Sequence, residues 1–337
     1  MSRIEPSTNE MLDHARALLT SGRLVAIPTE TVYGLAANAW DASAVRKIFS
    51  VKNRPPNNPL IVHVASLDRV VDAVRMPLAK PIESQLAAVS DLWPGPLTVV
   101  LPRGERIPDI VTAGNQTVAV RIPSHPVTLS LLNRCPFPLA APSANRSNYV
   151  SPTTAAHCED GLDDTVAMIL DGGPCDYGVE STIVRLHESG PRLLRPGGVA
   201  AEVLAERFGL SVDTLMEVSA NRQATKQLEA PGMMSQHYSP TTAVQLLYPG
   251  TTIVVPKNTG RIAFQKLADE EVSRYTVVEV LSESGDLEQV AKRLFAALRQ
   301  LDQAQLTCIH IDTCSPRGIG RAIMDRLERA AAKSSEF

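Results

Sequence analysis

Short apolar runs alternate with helix-period stretches along most of this chain, and that alternation limits the possible folds more than any other feature. Strand-like segments fall at 23–28, 60–65, 97–101, 117–122, 167–171 and 182–186, with helical patterns between several of them. Asp41 is placed to cap a helix in which Val45, Ile48 and Phe49 share a face, and Ser7-Thr8-Asn9-Glu10 has capping-box spacing ahead of a helix over about 8–21. X-Pro steps at Trp93-Pro94, Gly95-Pro96, Ala141-Pro142 and Arg195-Pro196 hold the preceding residues extended and mark strand ends or rigid loops. The spacing predicts an α/β or α+β domain over 8–205. The pattern weakens over 206–240, which reads as a linker ending in His237-Tyr238-Ser239-Pro240. A second α/β block follows over 241–332, with strands near 243–247, 261–264, 276–281 and 306–311. Its clearest helix starts at Asp286, and its last runs over about 321–332. A length of 337 residues suits two domains.

Composition narrows the function classes. The chain is 44% hydrophobic and 20% charged, the balance of a soluble globular protein. Its 33 Lys and Arg against 36 Asp and Glu leave a net charge of −3, which argues against a broadly basic nucleic-acid surface and directs any phosphate binding to a local cleft. Five cysteines, Cys135, Cys158, Cys175, Cys308 and Cys314, form no Cys-x-x-Cys pair and read as reduced thiols. Neither an apolar leader core nor an apolar run of about 18 residues is present, so a cytoplasmic protein without membrane contact is expected. The sequence has no Gly-Lys dipeptide and hence no Walker loop. Gly318-Ile319-Gly320 lacks the third glycine of a dinucleotide fingerprint and reads as helix-start packing. Ser143, within Ala141-Pro142-Ser143-Ala144-Asn145, is not flanked by the glycines of a nucleophile elbow.

Chemistry concentrates where scaffold hands over to loop. Pro28-Thr29-Glu30-Thr31-Val32-Tyr33-Gly34-Leu35 follows the apolar run Leu24–Ile27, and Lys52-Asn53-Arg54-Pro55-Pro56-Asn57-Asn58-Pro59-Leu60 follows a helical one. Hydroxyls, amides and two cations on rigid turns suit a polyanion beside a small polar molecule, such as ATP and an amino acid. Lys52 and Arg54 read either as solvated surface charges or as pre-placed phosphate ligands, with Arg54 able to bind through a fork. His63 reads as a core or edge histidine of its strand. Arg121 alternates with Val118 and Val120 and needs an anionic partner, either a structural carboxylate or a substrate one. Val179-Glu180-Ser181-Thr182 and Leu194-Arg195-Pro196-Gly197-Gly198 are short polar interruptions that turns alone can explain.

These segments, together with Trp93-Pro94-Gly95-Pro96-Leu97-Thr98, Thr117–Arg121, Ala141–Asn145 and Asp171-Gly172-Gly173, resemble the YrdC family of threonylcarbamoyl-AMP synthases in their order over about 170 residues. The linker and the second block resemble the long, two-domain form of that family. The resemblance implies a YrdC-like twisted mixed sheet with helices, a linker crossing the active site as a lid, and a smaller Rossmann-like C-terminal domain. It also implies the reaction of L-threonine, bicarbonate and ATP to threonylcarbamoyl-AMP, pyrophosphate and water, the first step of threonylcarbamoyladenosine formation in tRNA. By matching positions, Thr31, His63, Arg121, Ala141 and Ser181 are the expected threonine pocket, with Arg121 facing the substrate carboxylate. Arg54, Asn58, Thr117, Ser143, Asn145, Ser151, Arg195 and Tyr238 are the expected ATP contacts. Lys52 and Arg54 are the expected catalytic cations, with Mg²⁺ held chiefly by phosphates and no all-protein metal site. His63 is the nearest candidate for a general base. A downstream tRNA threonylcarbamoyl transferase complex is the implied partner, without stable tRNA binding. The alternative class is an RNA-binding or nucleotide-binding regulatory module on the same fold.

Overall fold

The computed structural model describes residues 3–162, 165–217, 230, 238–251 and 253–332. Ten strands form one mixed sheet: β1 (Ile4–Pro6), β2 (Leu24–Ile27), β3 (Gly34–Asn38), β4 (Ile61–His63), β5 (Leu97–Pro102), β6 (Thr117–Arg121), β7 (Leu139–Ala140), β8 (Val166–Asp171), β9 (Thr182–Arg185) and β10 (Arg192–Arg195). Their order is β1-β8-β2-β3-β7-β4-β6-β5-β9-β10. The six strand-like runs read from the sequence correspond to β2, β4, β5, β6, β8 and β9. The sequence reading did not identify β1, β3, β7 or β10. Gly34-Leu35 opens β3 where a loop was read, and Arg195 ends β10 where a turn was read. The first helix, Asn9–Thr20, is capped by Thr8, whose hydroxyl accepts from Met11 N. This places the cap one residue later than the Ser7 to Glu10 spacing suggests.

Ala42–Lys52 shows most directly how sequence positions the site. Asp41 accepts from Ser43 N and Ala44 N at its start, and Asn53 ends it in the left-handed conformation at φ 50°. Val45, Ile48 and Phe49 enter the main core. Lys52 is therefore carried inward on the last turn, and Arg54 leaves on a fixed course.

The second sheet is parallel, ordered β11-β14-β12-β13 from β11 (Ala243–Leu247), β12 (Thr259–Ala263), β13 (Val277–Val280) and β14 (Cys308–Asp312). Helices Leu287–Gln303 and Ile319–Ala331 pack beside it, the first capped by Asp286 as the sequence predicts. Gly320 is a packing glycine, since a Cβ there would lie 2.3 Å from Ser315 O. The cores of the two sheets meet at the mouth of the first. Val32, Val150, Val179 and Tyr238 pack in one cluster with Phe295 and Leu298. Gly178 allows this approach, with φ +69° and only 2.4 Å between an added Cβ and Ala291 O. The short helix Val212–Glu217 places Leu215 in the main core. Most of the expected linker, residues 218–229 and 231–237, lies outside the described residues. No described helix is long and apolar enough to cross a membrane.

Candidate active site

Neighbouring strand ends converge on one cleft of about 520 Å³. The parallel register of β4 and β6 sets His63 beside Arg121. Between β2 and β3, Thr29 folds the chain into a turn: its hydroxyl accepts from Thr31 N and Val32 N at 3.2 Å and donates to Val32 O at 2.6 Å. Thr31 is thereby fixed over the strand ends. Ser181 immediately precedes β9, where its hydroxyl shares a 2.8 Å hydrogen bond with Thr98 Oγ1. Arg195, at the end of β10, donates to Ser181 O at 2.9 Å and to Ser181 Oγ at 3.2 Å.

Nine of the fourteen residues expected at the site line this cleft: Thr31, His63, Arg121, Ala141, Ser181, Arg54, Ser143, Arg195 and Tyr238. The other five lie behind or away from its wall. Lys52 Nζ donates to Ser143 O at 2.6 Å and also to Asn145 O, so its ammonium holds the loop that presents Ser143. Asn145 donates to Arg146 O and Tyr149 O, each at 2.8 Å, and closes the same loop. Asn58 braces Arg54, accepting at 2.7 Å through its side chain and at 3.0 Å through its carbonyl. Ser151 donates to Glu180 Oε1 at 2.6 Å. Thr117 sits at the opposite end of β6 from Arg121, roughly 13 Å away at the rise of a strand.

Electrostatics resolves two open questions. The anionic partner of Arg121 is Glu30, with Nη2 2.7 Å from Oε1 in a close ion pair off hydrogen-bond alignment. Arg121 also donates to Thr31 Oγ1 at 2.9 Å and to Gly95 O at 3.2 Å. Of the two partners the sequence left open, the structure supplies the structural carboxylate. Burial would raise the Glu30 carboxyl, but the Arg121 guanidinium outweighs that and holds it below 4.5. The second question concerns His63. Burial, then the Arg121 charge, pulls its imidazole down to about 3, too low for an effective base near neutral pH. Its Nδ1 is buried without a hydrogen-bond partner among the described residues, leaving a neutral polar atom for a ligand. Burial lowers Arg54 to about 9, which leaves it charged at pH 7. Lys52 is lowered well below 10.5 by burial and then by Arg54.

Sequence reasoning missed Glu30, Glu180 and Arg326 as part of this site. Arg326, on the helix Ile319–Ala331 of the second unit, is fully buried and donates to Glu180 Oε2 at 2.7 Å. Only fold topology brings it within reach, and no local pattern marks it.

Two family models cover nearly the whole chain. The Sua5/YciO/YrdC family, described as telomere recombination, matches residues 17–197, and the C-terminal domain of threonylcarbamoyl-AMP synthase matches residues 201–332. The chain belongs to the threonylcarbamoyl-AMP synthase family. It is an enzyme of that kind. The family's Pyrococcus abyssi member is 38% identical over 94% of this chain and 93% of its own, and the Bacillus subtilis member is 38% identical over 97% and 95%. The crystal structure of P. abyssi Sua5 complexed with L-threonine superimposes with a TM-score of 0.85 at 34% identity, covering 98% of each chain. Escherichia coli YciO, at 19% identity and a TM-score of 0.51, shares the fold over 58% of this chain. The fold expected from the resemblance, a YrdC-like mixed sheet with helices plus a smaller C-terminal α/β domain, is the fold observed, and the second sheet is parallel.

Proposed function

We propose that this cleft joins L-threonine, bicarbonate and ATP into threonylcarbamoyl-AMP, with pyrophosphate and water released. The observation that carries this reading is the convergence of nine side chains from separate segments on one cleft, in which hydroxyls and a neutral imidazole are interleaved with the cations Arg54, Arg121 and Arg195. Arg121, with its charge shared between Glu30 and the cleft, receives the threonine carboxylate. Thr31, Ser181 and His63 Nδ1 offer polar partners to the amine and hydroxyl, and Ala141 bounds the pocket. Arg54, Ser143, Arg195 and Tyr238 take the nucleotide. Lys52, Asn58, Asn145 and Ser151 act through the atoms they hold, and Thr117 stands apart from the chemistry.

The reaction needs no protein nucleophile. The threonine amine attacks the bicarbonate carbon, water leaves, and a carbamate oxygen then displaces pyrophosphate from the α-phosphorus. Arg54 and Arg195 offset the charge that develops on the leaving pyrophosphate, and the turn at Thr29 orients the carbamate. Mg²⁺ held chiefly by the substrate phosphates would supply further charge neutralisation. Glu30 and Glu180, the carboxylates nearest the cleft, are each engaged by an arginine, so the phosphates would be the principal ligands of that ion.

The division into a catalytic domain over 8–205, a crossing linker over 206–240 and a C-terminal domain over 241–332 suits this chemistry. Tyr238, held at φ 62° and stacked 5.6 Å from Phe295, closes the cleft from the linker side and shields the labile mixed anhydride from water. The product passes to a tRNA threonylcarbamoyl transferase complex in the cytoplasm without stable tRNA binding by this chain. Pyrophosphate release, followed while each substrate is omitted in turn, tests the reading. Dependence on all three substrates supports it, and release without threonine overturns it.

A further inference from the structure

The second unit reaches the cleft through one side chain. Arg326 is 1% exposed, although it stands on a helix that belongs to the other sheet. Its guanidinium meets Glu180 Oε2 at 2.7 Å and Pro196 O at 3.0 Å, pairs with Asp325 beside it, and lies 5.1 Å over the Tyr238 ring. Glu180 in turn accepts from Ser151 at 2.6 Å and lines the cleft beside Arg195 and Tyr238. A buried carboxylate is an unfavourable wall for a triphosphate, because like charges repel strongly where water is scarce.

We propose that Arg326 is a positioning residue for the nucleotide: it cancels the charge of Glu180 and, through that carboxylate, fixes the wall formed by Ser151, Ser181 and Arg195. The second unit is thereby part of the ATP site, and this rests on the reading of the cleft given above. The charged and titratable groups facing Glu180 are Arg326 and Asp325 from the second unit, Arg195 from β10, and Tyr238. Burial would raise the Glu180 carboxyl, but Arg326, Arg195 and the Ser151 hydrogen bond together hold it below 4.5. With Arg326 removed, the dominant restraint is lost and Glu180 gains protons at higher pH.

The test uses the full chain and measures ATP and L-threonine affinities by calorimetry from about pH 6 to 9. Arg326→Met is expected to weaken ATP roughly 10- to 100-fold at the alkaline end and less at the acid end, with threonine affinity within about twofold. Adding Glu180→Gln to Arg326→Met is expected to restore most of the loss, and Arg326→Lys to retain part of the binding. Equal weakening of both ligands, a pH-independent loss, or a double variant no better than Arg326→Met would each overturn the proposal. Should Arg326→Met fail to fold, Glu180→Gln alone decides: ATP binding at least as tight as in the wild type supports it, and a tenfold loss contradicts it. Wild-type pyrophosphate release that ignores threonine would instead remove the function reading, while calorimetry still decides the role of Arg326.

Discussion

Replacing Arg121 by alanine removes the central charge of the proposed threonine pocket and exposes how its load is shared. At the observed 2.7 Å separation from Glu30, Coulomb's law with an effective dielectric of about 20 gives roughly 6 kcal/mol of gross attraction. Desolvation of both ions takes back much of this, and breaking a buried pair from one side typically costs about 3–5 kcal/mol of stability. That corresponds to a drop in melting temperature on the order of 10 °C. Threonine use suffers separately: loss of a charge-assisted contact to the substrate carboxylate costs about 2–4 kcal/mol, or roughly 30- to 900-fold in kcat/KM for threonine. In the proposed arrangement ATP does not touch this arginine, so the KM for ATP should change by no more than about threefold. Steady-state pyrophosphate release, with one substrate varied at a time on folded protein, separates the two effects. Equal losses for threonine and ATP would refute the assignment and make Arg121 a structural partner of Glu30 alone.

Other perturbations probe other parts of the account. Tyr238→Ala should lower product yield or speed hydrolysis of the intermediate, and unchanged yield and lifetime would remove the shielding role. Gly197→Ala forces a Cβ to within 2.3 Å of Glu180 O, Ser181 C and Thr182 N, and should cost about 1–3 kcal/mol in chemical denaturation; a neutral result would contradict the close packing. Stability should also fall with acid in two stages. His63 is depressed from 6.5 to about 3 in the folded chain, so below 6.5 the unfolded chain binds the extra proton, and stability is lost at up to about 1.4 kcal/mol per pH unit. Glu30 and Glu180 have lowered folded values, so their contribution is complete above 4.5 and disappears as pH falls through those values. Flat denaturation midpoints from about pH 7 to 5 would contradict the neutral buried imidazole.

Much of the fold was legible because period and punctuation agreed. Asp41 and Asp286 cap the helices their sequences announce, and Leu24–Ile27 and Leu97–Leu101 form buried strands as their short, largely apolar runs suggest. The strands that escaped were brief or disguised. Residues 139–140 form only a two-residue strand, and Arg192–Arg195 interleaves charge with leucine because Arg195 must end in a cleft. Residue types in the site were legible from their loops, but pairing was not. Glu30 stands 91 positions before Arg121, and Glu180 stands 146 before Arg326, separations at which sequence carries no geometric signal. Lys52 was ambiguous for a related reason: a cation at a helix end reads equally as exposed or as a ligand, and only the inward turn shows it buried against two carbonyls.

The central claim is that a carbamate derived from threonine, and not threonine itself, is joined to the α-phosphate. Mass spectrometry of the nucleotide product formed with L-threonine, ATP, Mg²⁺ and carbon-13 bicarbonate tests it most directly. An adenylate that carries both the threonine mass and the labelled carbon is the expected product. A threonine adenylate without the label, or pyrophosphate released with no labelled adenylate, would contradict it.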